Sequence, residues 1–169
     1  YLSPEKIELD KINYYIQEEP YHIKVLHQNS PIYLQTPWLP IPFGLDEQFN
    51  NFSIKLSLSR KNPEATSFYE LIKNIENHHQ EYISSLENEV NYGSQIKEGE
   101  NKDPLLTIKL PFRYRRLETK FFKSDGSSTT SKDLNPMVQV KCNLEMDSIW
   151  KFNNKYYAKW KAKQIWIQD

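Results

Sequence analysis

The sequence predicts a mainly β domain that contains one helix. Three segments, 106–116, 137–146 and 155–167, alternate between apolar or aromatic residues and polar ones, as strands with one buried face do. The segment 63–88 instead repeats its apolar residues at helical spacing. A chain of 169 residues can bury a substantial core, so we expect a single domain over 1–169.

The first fifty residues are less regular than the rest. The segments 21–27 and 52–58 are predicted strands, but 31–43 contains four prolines and suits only an edge strand followed by an extended arm. The apolar residues of this arm must be buried, either in a loop packed over the core or under a partner. The sequence favours the packed loop.

The predicted helix has a clear start. Asn62 is a suitable N-cap, Pro63 a suitable first residue, and Glu64 lies in the first turn, where the helix dipole favours negative charge. His78 and His79 are adjacent, so their side chains point about 100° apart and do not form a helical metal pair. We therefore expect structural or solvated roles for both histidines.

The order of these elements suggests an OB-fold, which is a Greek-key five-stranded barrel. The helix lies between the third and fourth predicted strands, 52–58 and 106–116. Two polar segments, 90–104 and 124–136, are predicted loops. The segments 136–151 and 155–168 would extend the barrel as a C-terminal β-hairpin, with a tight turn at Asn153-Asn154, because asparagine tolerates positive φ.

The charge of the chain is unevenly distributed. Lys plus Arg and Asp plus Glu each number 22, yet residues 104–163 carry 13 basic side chains against 5 acidic ones. A solvated strand face often carries lysine for solubility alone. The basic segments also contain aromatic residues, a combination typical of surfaces that bind single-stranded nucleic acid.

The last predicted strand carries a row of lysines. Alternation places Lys155, Tyr157, Lys159, Lys161 and Lys163 on one face, with Tyr156, Trp160 and Trp166 opposite. Neighbouring side chains in the row are about 6.8 Å apart, roughly twice the 3.4 Å rise of a stacked strand, which suits a stretched single strand. The predicted nucleic-acid contacts are Lys109, Arg113, Tyr114, Arg115, Lys141, Lys155, Tyr157, Lys159, Lys161 and Lys163.

Several stretches resemble the single-stranded DNA-binding proteins of nucleocytoplasmic large DNA viruses, of the African swine fever virus type. They are IKLSLS at 54–59, SFYELI at 67–72, LLTIKLPF at 105–112, VQVKCNLEMDSIW at 138–150 and YAKWKAKQIWI at 157–167. The resemblance implies an OB-fold that coats single-stranded DNA during viral replication, recombination or repair. It also implies a location in viral factories of the host cytoplasm, or in the host nucleus. It transfers no individual contact residue.

Other functions are open. Glu145 and Asp147, near Lys141 and Lys151, could hold Mg²⁺ in a nuclease. The sequence contains no phosphate-binding loop, HExxH helix or Cys/His pairing. We therefore expect neither an enzyme nor a cofactor. The acidic helix and proline-rich arm would suit a module that binds replication proteins. RNA is a second candidate ligand, because contacts to phosphates and stacking on bases do not distinguish RNA, which has a 2′-OH, from DNA.

Two further features exclude whole classes of protein. The single cysteine, Cys142, excludes an internal disulfide framework and a thiolate metal cluster. No apolar run approaches the roughly eighteen residues of a membrane span, so we expect no membrane partner.

Overall fold

The structure, a computed structural model, describes residues 1–168, which form many short strands around one α-helix, α1 (Pro63–Ser84). The strands are β1 (Ile12–Glu18), β2 (Tyr21–His27), β3 (Ile32–Gln35), β4 (Leu39–Pro40), β5 (Asp46–Gln48), β6 (Asn51–Ser57), β7 (Tyr92–Gly93), β8 (Ile96–Lys97), β9 (Leu105–Leu110), β10 (Phe112–Arg113), β11 (Arg116–Leu117), β12 (Lys120–Lys123), β13 (Ser128–Thr129), β14 (Gln139–Met146), β15 (Ser148–Phe152), β16 (Lys155–Tyr157) and β17 (Trp160–Gln168). Short 3-10 turns lie at Pro4–Lys6, Leu9–Lys11 and Ser131–Asp133. The mainly β class with one helix is confirmed.

The main sheet is built around β17. On one side β17 pairs antiparallel with β14, which in turn pairs with β3 and β4. On the other side β9 and β12 pair parallel with successive parts of β17, and β9 continues to β6. Within residues 1–168 no strand ladder joins β6 to β3 or β4, so the predicted five-stranded Greek-key barrel is not confirmed.

A second sheet has the order β1-β2-β15-β16-β7. This sheet contains 21–27, a segment that the OB-fold prediction places in the barrel. It also contains β1, a strand that the sequence does not predict. From its second residue onward β1 is half-buried or exposed, so it lacks the alternation that marks a half-buried strand. Its place in the sheet depends on a seven-residue antiparallel register with β2.

The C-terminal hairpin is confirmed in outline, but it is not continuous. Its strands break at Asp147 and at 158–159, so β14 and β17 belong to the main sheet while β15 and β16 belong to the second sheet. The hairpin therefore spans both sheets. Asn153 and Asn154 have φ of 50° and 65°, and the predicted tight asparagine turn is confirmed.

The helix starts as predicted. The Asn62 side chain accepts hydrogen bonds from the backbone N–H groups of Glu64, at 3.0 Å, and Ala65, at 3.3 Å. Its buried face, which includes Phe68, Ile72 and Ile75, packs into the core, and the helix ends at Ser84 rather than at residue 88. Within residues 1–168 the structure contains no helix with the length and apolar character that a membrane span requires.

The segment 106–116 is not one strand. β9 ends at Leu110, and after Pro111 the chain folds into a two-residue hairpin, β10–β11, with Tyr114 and Arg115 at φ of 54° and 63°. Proline has no N–H to donate to the ladder, which is why the strand stops there. The predicted alternation therefore ends at Pro111.

The alternation of buried and outward-facing side chains along β17 reverses part-way along the strand. Leu144 pairs with Ala162 and Asn143 with Gln164, so Lys163 is an extra residue, a β-bulge. Beyond it Ile165 and Ile167 are buried, while Trp166 turns to the half-buried outer side. The prediction that Trp166 shares the core face with Trp160 was wrong, because the bulge reverses the alternation. Tyr156 and Trp160 are buried as expected.

Candidate nucleic-acid interface

A groove lies where the C-terminal hairpin passes from one sheet to the other. We call it the hairpin groove; it has a volume of about 410 Å³. It is lined by Lys109, Asp147, Ser148, Trp150, Phe152, Tyr157, Lys159 and Lys161. Its position follows from the break at Asp147, because the side chains of β15 and β16 meet those of β9 and β17 there.

One side of the hairpin groove is aromatic. Trp150 lies opposite Tyr157 in the β15–β16 ladder, so both rings project from the same face. Trp150 is 44% exposed and Phe152 is 68% exposed. The His22 ring stacks on Trp150 at a centroid distance of 4.4 Å and an interplanar angle of 20°, which leaves the indole supported but accessible.

The opposite face of the same hairpin is hydrogen-bonded to the segment that follows the end of the helix. Glu87 Oε1 accepts hydrogen bonds from Lys151 Nζ and from the Tyr156 hydroxyl, each at 2.6 Å. These two bonds lower the pKa of the Glu87 carboxyl, the lysine contact first and the tyrosine contact second. The hairpin that carries the exposed aromatic rings is thus held by hydrogen bonds on its opposite face.

The other side of the hairpin groove is basic. Lys109 on β9 and Lys161 on β17 are direct neighbours in a parallel ladder, and Lys159 lies just before β17. The pKa of Lys109 is lowered, first by partial burial and then by the positive charges of Lys159 and Lys161. Asp147 Oδ1 lies 4.0 Å from Lys161 Nζ and offsets part of this charge. An anion bound between these lysines would relieve the remaining repulsion.

The structure brings part of the predicted site together. Lys109, Tyr157, Lys159 and Lys161 all line the hairpin groove. Lys155 lies beside it, with its ammonium 6.0 Å from the centroid of the Tyr157 ring. Lys163 is the bulge residue further along β17, where its ammonium lies 3.9 Å from the Glu145 carboxylate.

The remaining predicted residues lie outside the hairpin groove. The Lys141 ammonium is 5.5 Å from the centroid of the Trp38 ring, in a separate groove that reaches the start of α1. Tyr114 stands 85% exposed at the tip of the β10–β11 hairpin. Next to it, Arg113 Nε lies 3.4 Å from Glu118. Arg115 lines a third groove together with Arg116 and Lys120.

Sequence reasoning missed the aromatic half of the groove. Even-numbered residues are buried along β14 up to Met146, and continuing that pattern would bury Trp150. Instead the pattern shifts at Asp147, so that Ile149 is buried and Trp150 and Phe152 face solvent. The asparagine turn could have revealed them, because it fixes the register that sets Trp150 opposite Tyr157.

The two carboxylates considered as a metal site, Glu145 and Asp147, each lie close to a lysine. Glu145 and Asp147 lie 3.9 Å and 4.0 Å from the ammonium groups of Lys163 and Lys161. Among residues 1–168, no three His, Cys, Asp or Glu side chains gather into a group that could hold a metal ion.

Comparison with known proteins connects this architecture to others. No protein-family model and no curated protein sequence matches the chain. The solved structure of gp2.5, a single-stranded DNA-binding protein encoded by bacteriophage T7, superposes with a TM-score of 0.62 at 8% identity, covering 83% of this chain and 87% of that one. The chain shares its fold.

Two structures of another phage protein support the same conclusion. The single-stranded DNA-binding protein of bacteriophage Enc34 matches with a TM-score of 0.57 at 8% identity, over 85% of this chain and 83% of that one. Its C-terminal truncation matches with a TM-score of 0.54 at 10% identity, over 95% and 94%. At these identities the likeness establishes the fold and transfers no individual contact.

Proposed function

We propose that the chain binds and coats single-stranded DNA without sequence specificity, with the hairpin groove as its principal contact. The observation that carries the proposal is the juxtaposition of Trp150, Phe152 and Tyr157 with Lys109, Lys159 and Lys161 in one groove. Aromatic rings stack on any base, and ammonium groups follow the phosphates, so this combination binds a strand with little regard to sequence.

The groove suits a single strand better than a duplex. Bases within a duplex are stacked on each other, so the exposed faces of Trp150 and Phe152 could engage them only after local melting. In a single strand every base has a free face. The shared fold of the phage proteins, which are themselves single-stranded DNA-binding proteins, also supports this ligand.

The biological setting is part of the proposal. The sequence resemblance to the proteins of nucleocytoplasmic large DNA viruses supports a role in viral DNA replication, recombination or repair. With that role we propose a location in the replication factories of the host cytoplasm, or in the host nucleus. RNA and replication proteins are further proposed partners.

Binding to fluorescent oligonucleotides tests the proposal directly. We expect oligo-dT to bind at least as tightly as mixed sequence and more tightly than duplex of equal length. The logarithm of the affinity should fall linearly with the logarithm of the salt concentration. A parallel titration with oligo-U measures how far RNA competes. Equal affinity for duplex, or no binding to any nucleic acid, would contradict the proposal.

A matched pair of variants tests the groove. Phe152→Ala should weaken binding of oligo-dT about 5-fold to 100-fold, since a stacked base contributes about 1–3 kcal/mol. Phe43→Ala is the control, because Phe43 is 64% exposed, close to the exposure of Phe152, but does not line the hairpin groove. Thermal melting of both variants checks the fold. An equal loss in the two variants would show that the groove is not the contact surface.

A further inference from the structure

The bulge at Lys163 creates a second aromatic pair, half-buried, on the outer face of the main sheet. Trp166, which the bulge turns outward, lies opposite Phe122 in the parallel β12–β17 ladder. The two rings stack with a centroid distance of 5.4 Å and an interplanar angle of 25°, and both are half-buried. Bulges often re-aim a side chain at a functional site.

We propose that Trp166 and Phe122 form a second base-stacking platform, so that one DNA strand runs along β17 from the hairpin groove to this pair. The inference rests on the proposed function and extends it, because it assigns a further subsite and a path between the two sites. The occupant is the same single strand that the hairpin groove holds, with its bases on the two aromatic ends and its phosphates on the lysines between.

Charge along this path supports a nucleic acid. Lys161 and Lys163 lie on β17 between the two aromatic ends, Lys141 pairs with Trp166 in the β14 ladder, and Lys120 pairs with Gln164 in the β12 ladder. Two carboxylates oppose these four ammonium groups: Glu145, which is mostly covered, lies 3.9 Å from Lys163, and Asp147 lies 4.0 Å from Lys161. The positive charge therefore exceeds the negative charge along the outer face of β17.

The middle of the path is polar and neutral. Gln35 donates a hydrogen bond to the Asn143 side chain, which donates in turn to the Gln164 side chain. The Asn143 side chain is buried, so the half-buried amides of Gln35 and Gln164 border the outer face between the lysines and the Trp166–Phe122 pair. A phosphate backbone would meet these neutral amides there rather than repelling charges.

The length of the path sets the expected footprint. Lys159 and Trp166 are seven positions apart in the sequence, which corresponds to about 23 Å of strand at the usual rise. That distance corresponds to about seven nucleotides at the stacked rise of 3.4 Å, and to roughly half as many if the strand is stretched. Both platforms together should therefore need a longer oligonucleotide than the hairpin groove alone.

The flank of the second platform is also basic. Phe122 and Lys120 line the third groove together with Arg115 and Arg116 of the β10–β11 hairpin. Phosphates leaving the Trp166–Phe122 pair would meet these guanidinium groups. The inferred path thus explains why two predicted residues, Lys141 and Arg115, lie far from the hairpin groove yet border the same track.

Oligo-dT of 2 to 20 nucleotides tests the second platform. For wild-type protein the affinity should rise with length until both platforms are spanned. Trp166→Ala should weaken binding of the longest oligonucleotides about 5-fold to 150-fold, since one stacked base is lost, and leave that of dT2 nearly unchanged, because dT2 is too short to span both platforms even when stretched. Trp166→Phe should restore most of the binding, because a phenyl ring also stacks.

Tryptophan fluorescence gives a second readout that needs only conservative changes. In the variant Trp150→Phe, DNA should still quench part of the fluorescence through Trp166, and the further change Trp166→Phe should remove that part. Equal effects of Trp166→Ala at all lengths, or unchanged quenching in the double variant, would overturn this inference alone. Absence of binding to every oligonucleotide would overturn the proposed function, and this inference with it.

Discussion

Lys109 is the lysine of the hairpin groove whose positive charge the fold disfavours and the proposed DNA ligand would favour. Its pKa is lowered by partial burial and by the charges of Lys159 and Lys161, so its charged form is less favourable in the folded protein than in the unfolded chain. Phosphate in the hairpin groove would supply the missing counter-charge. The arrangement is typical of a binding site in which the ligand, rather than the fold, stabilises the charges.

Replacing this lysine should therefore separate stability from affinity. Lys109→Met is expected to raise the Tm slightly, because repulsion is removed, and to reduce the slope of log affinity against log salt by about 0.7. Calorimetric DNA titration and thermal melting measure the two effects. Lys132→Met, at an exposed lysine outside the groove, is the control. A lower Tm combined with unchanged affinity would contradict this role for Lys109.

The lowered pKa also fixes the direction of a pH effect. Between the folded pKa and the higher unfolded pKa of Lys109, the unfolded chain binds more protons, so this group makes stability rise with pH in that window. DNA affinity should change in the opposite direction, since Lys109 loses its charge there. Calorimetry across a series of alkaline pH values, in two buffers of different ionisation heat, should show proton uptake on binding in wild type and less in Lys109→Met.

At the scale of elements, the hairpin β15–β16 depends on its link to the end of the helix. Glu87→Ala removes the acceptor shared by Lys151 and Tyr156. We expect faster amide hydrogen exchange across 148–157 and weaker DNA binding, although no groove residue is changed. Glu70→Ala, at an exposed carboxylate on α1 itself, is the control, whereas Glu87 lies just beyond the end of α1. Unchanged exchange in Glu87→Ala would show that the turn and ladder alone hold the hairpin.

The elements also show which parts of the fold local sequence could predict. The helix follows from its Asn62 cap and apolar stripe, and the final hairpin from its asparagine turn, because both signals are local. The second sheet could not be predicted as a unit, because β1 shows no alternation and because the β2–β15 ladder joins segments more than a hundred residues apart. β1 pairs locally with β2, but a strand that is half-buried or exposed along nearly its whole length carries no period-two pattern.

The candidate site was predictable where the alternation is regular. The lysine row from Lys155 to Lys161 follows from a period of two, and the structure keeps these side chains on the accessible side. The alternation shifts twice, at Asp147 and at Lys163. The first shift exposes Trp150, and the second turns Trp166 from the predicted core face to the half-buried outer side. Trp150 and Trp166 were missed for this reason: one irregular residue reverses the faces of all that follow.

At the scale of the whole molecule, a buried histidine ties stability to pH. His79 is buried between α1 and β7, where its Nδ1 lies 2.9 Å from the Tyr92 hydroxyl and its Nε2 has no hydrogen-bond partner among the described residues. Burial first, and the neighbouring His78 second, lower the pKa of His79 to about 3. The ring therefore stays neutral in the folded protein throughout the physiological range, which supports the structural role expected for it.

This burial predicts progressive loss of stability in mild acid. Below pH about 6.5 the unfolded chain protonates His79 while the folded chain does not, so the free energy of unfolding should fall by up to about 1.4 kcal/mol per pH unit from this group. Urea unfolding at pH 7.5, 6.5, 5.5 and 5.0 measures the slope. His27, whose pKa burial also lowers, adds to it in every variant. His79→Phe should reduce the pH dependence of the free energy of unfolding by the contribution of one proton. His78→Gln, at a half-buried histidine that hydrogen-bonds Tyr14, should leave the contribution of His79 unchanged. If His79→Phe retained the full wild-type slope, the acid sensitivity of the fold would have to come from other groups.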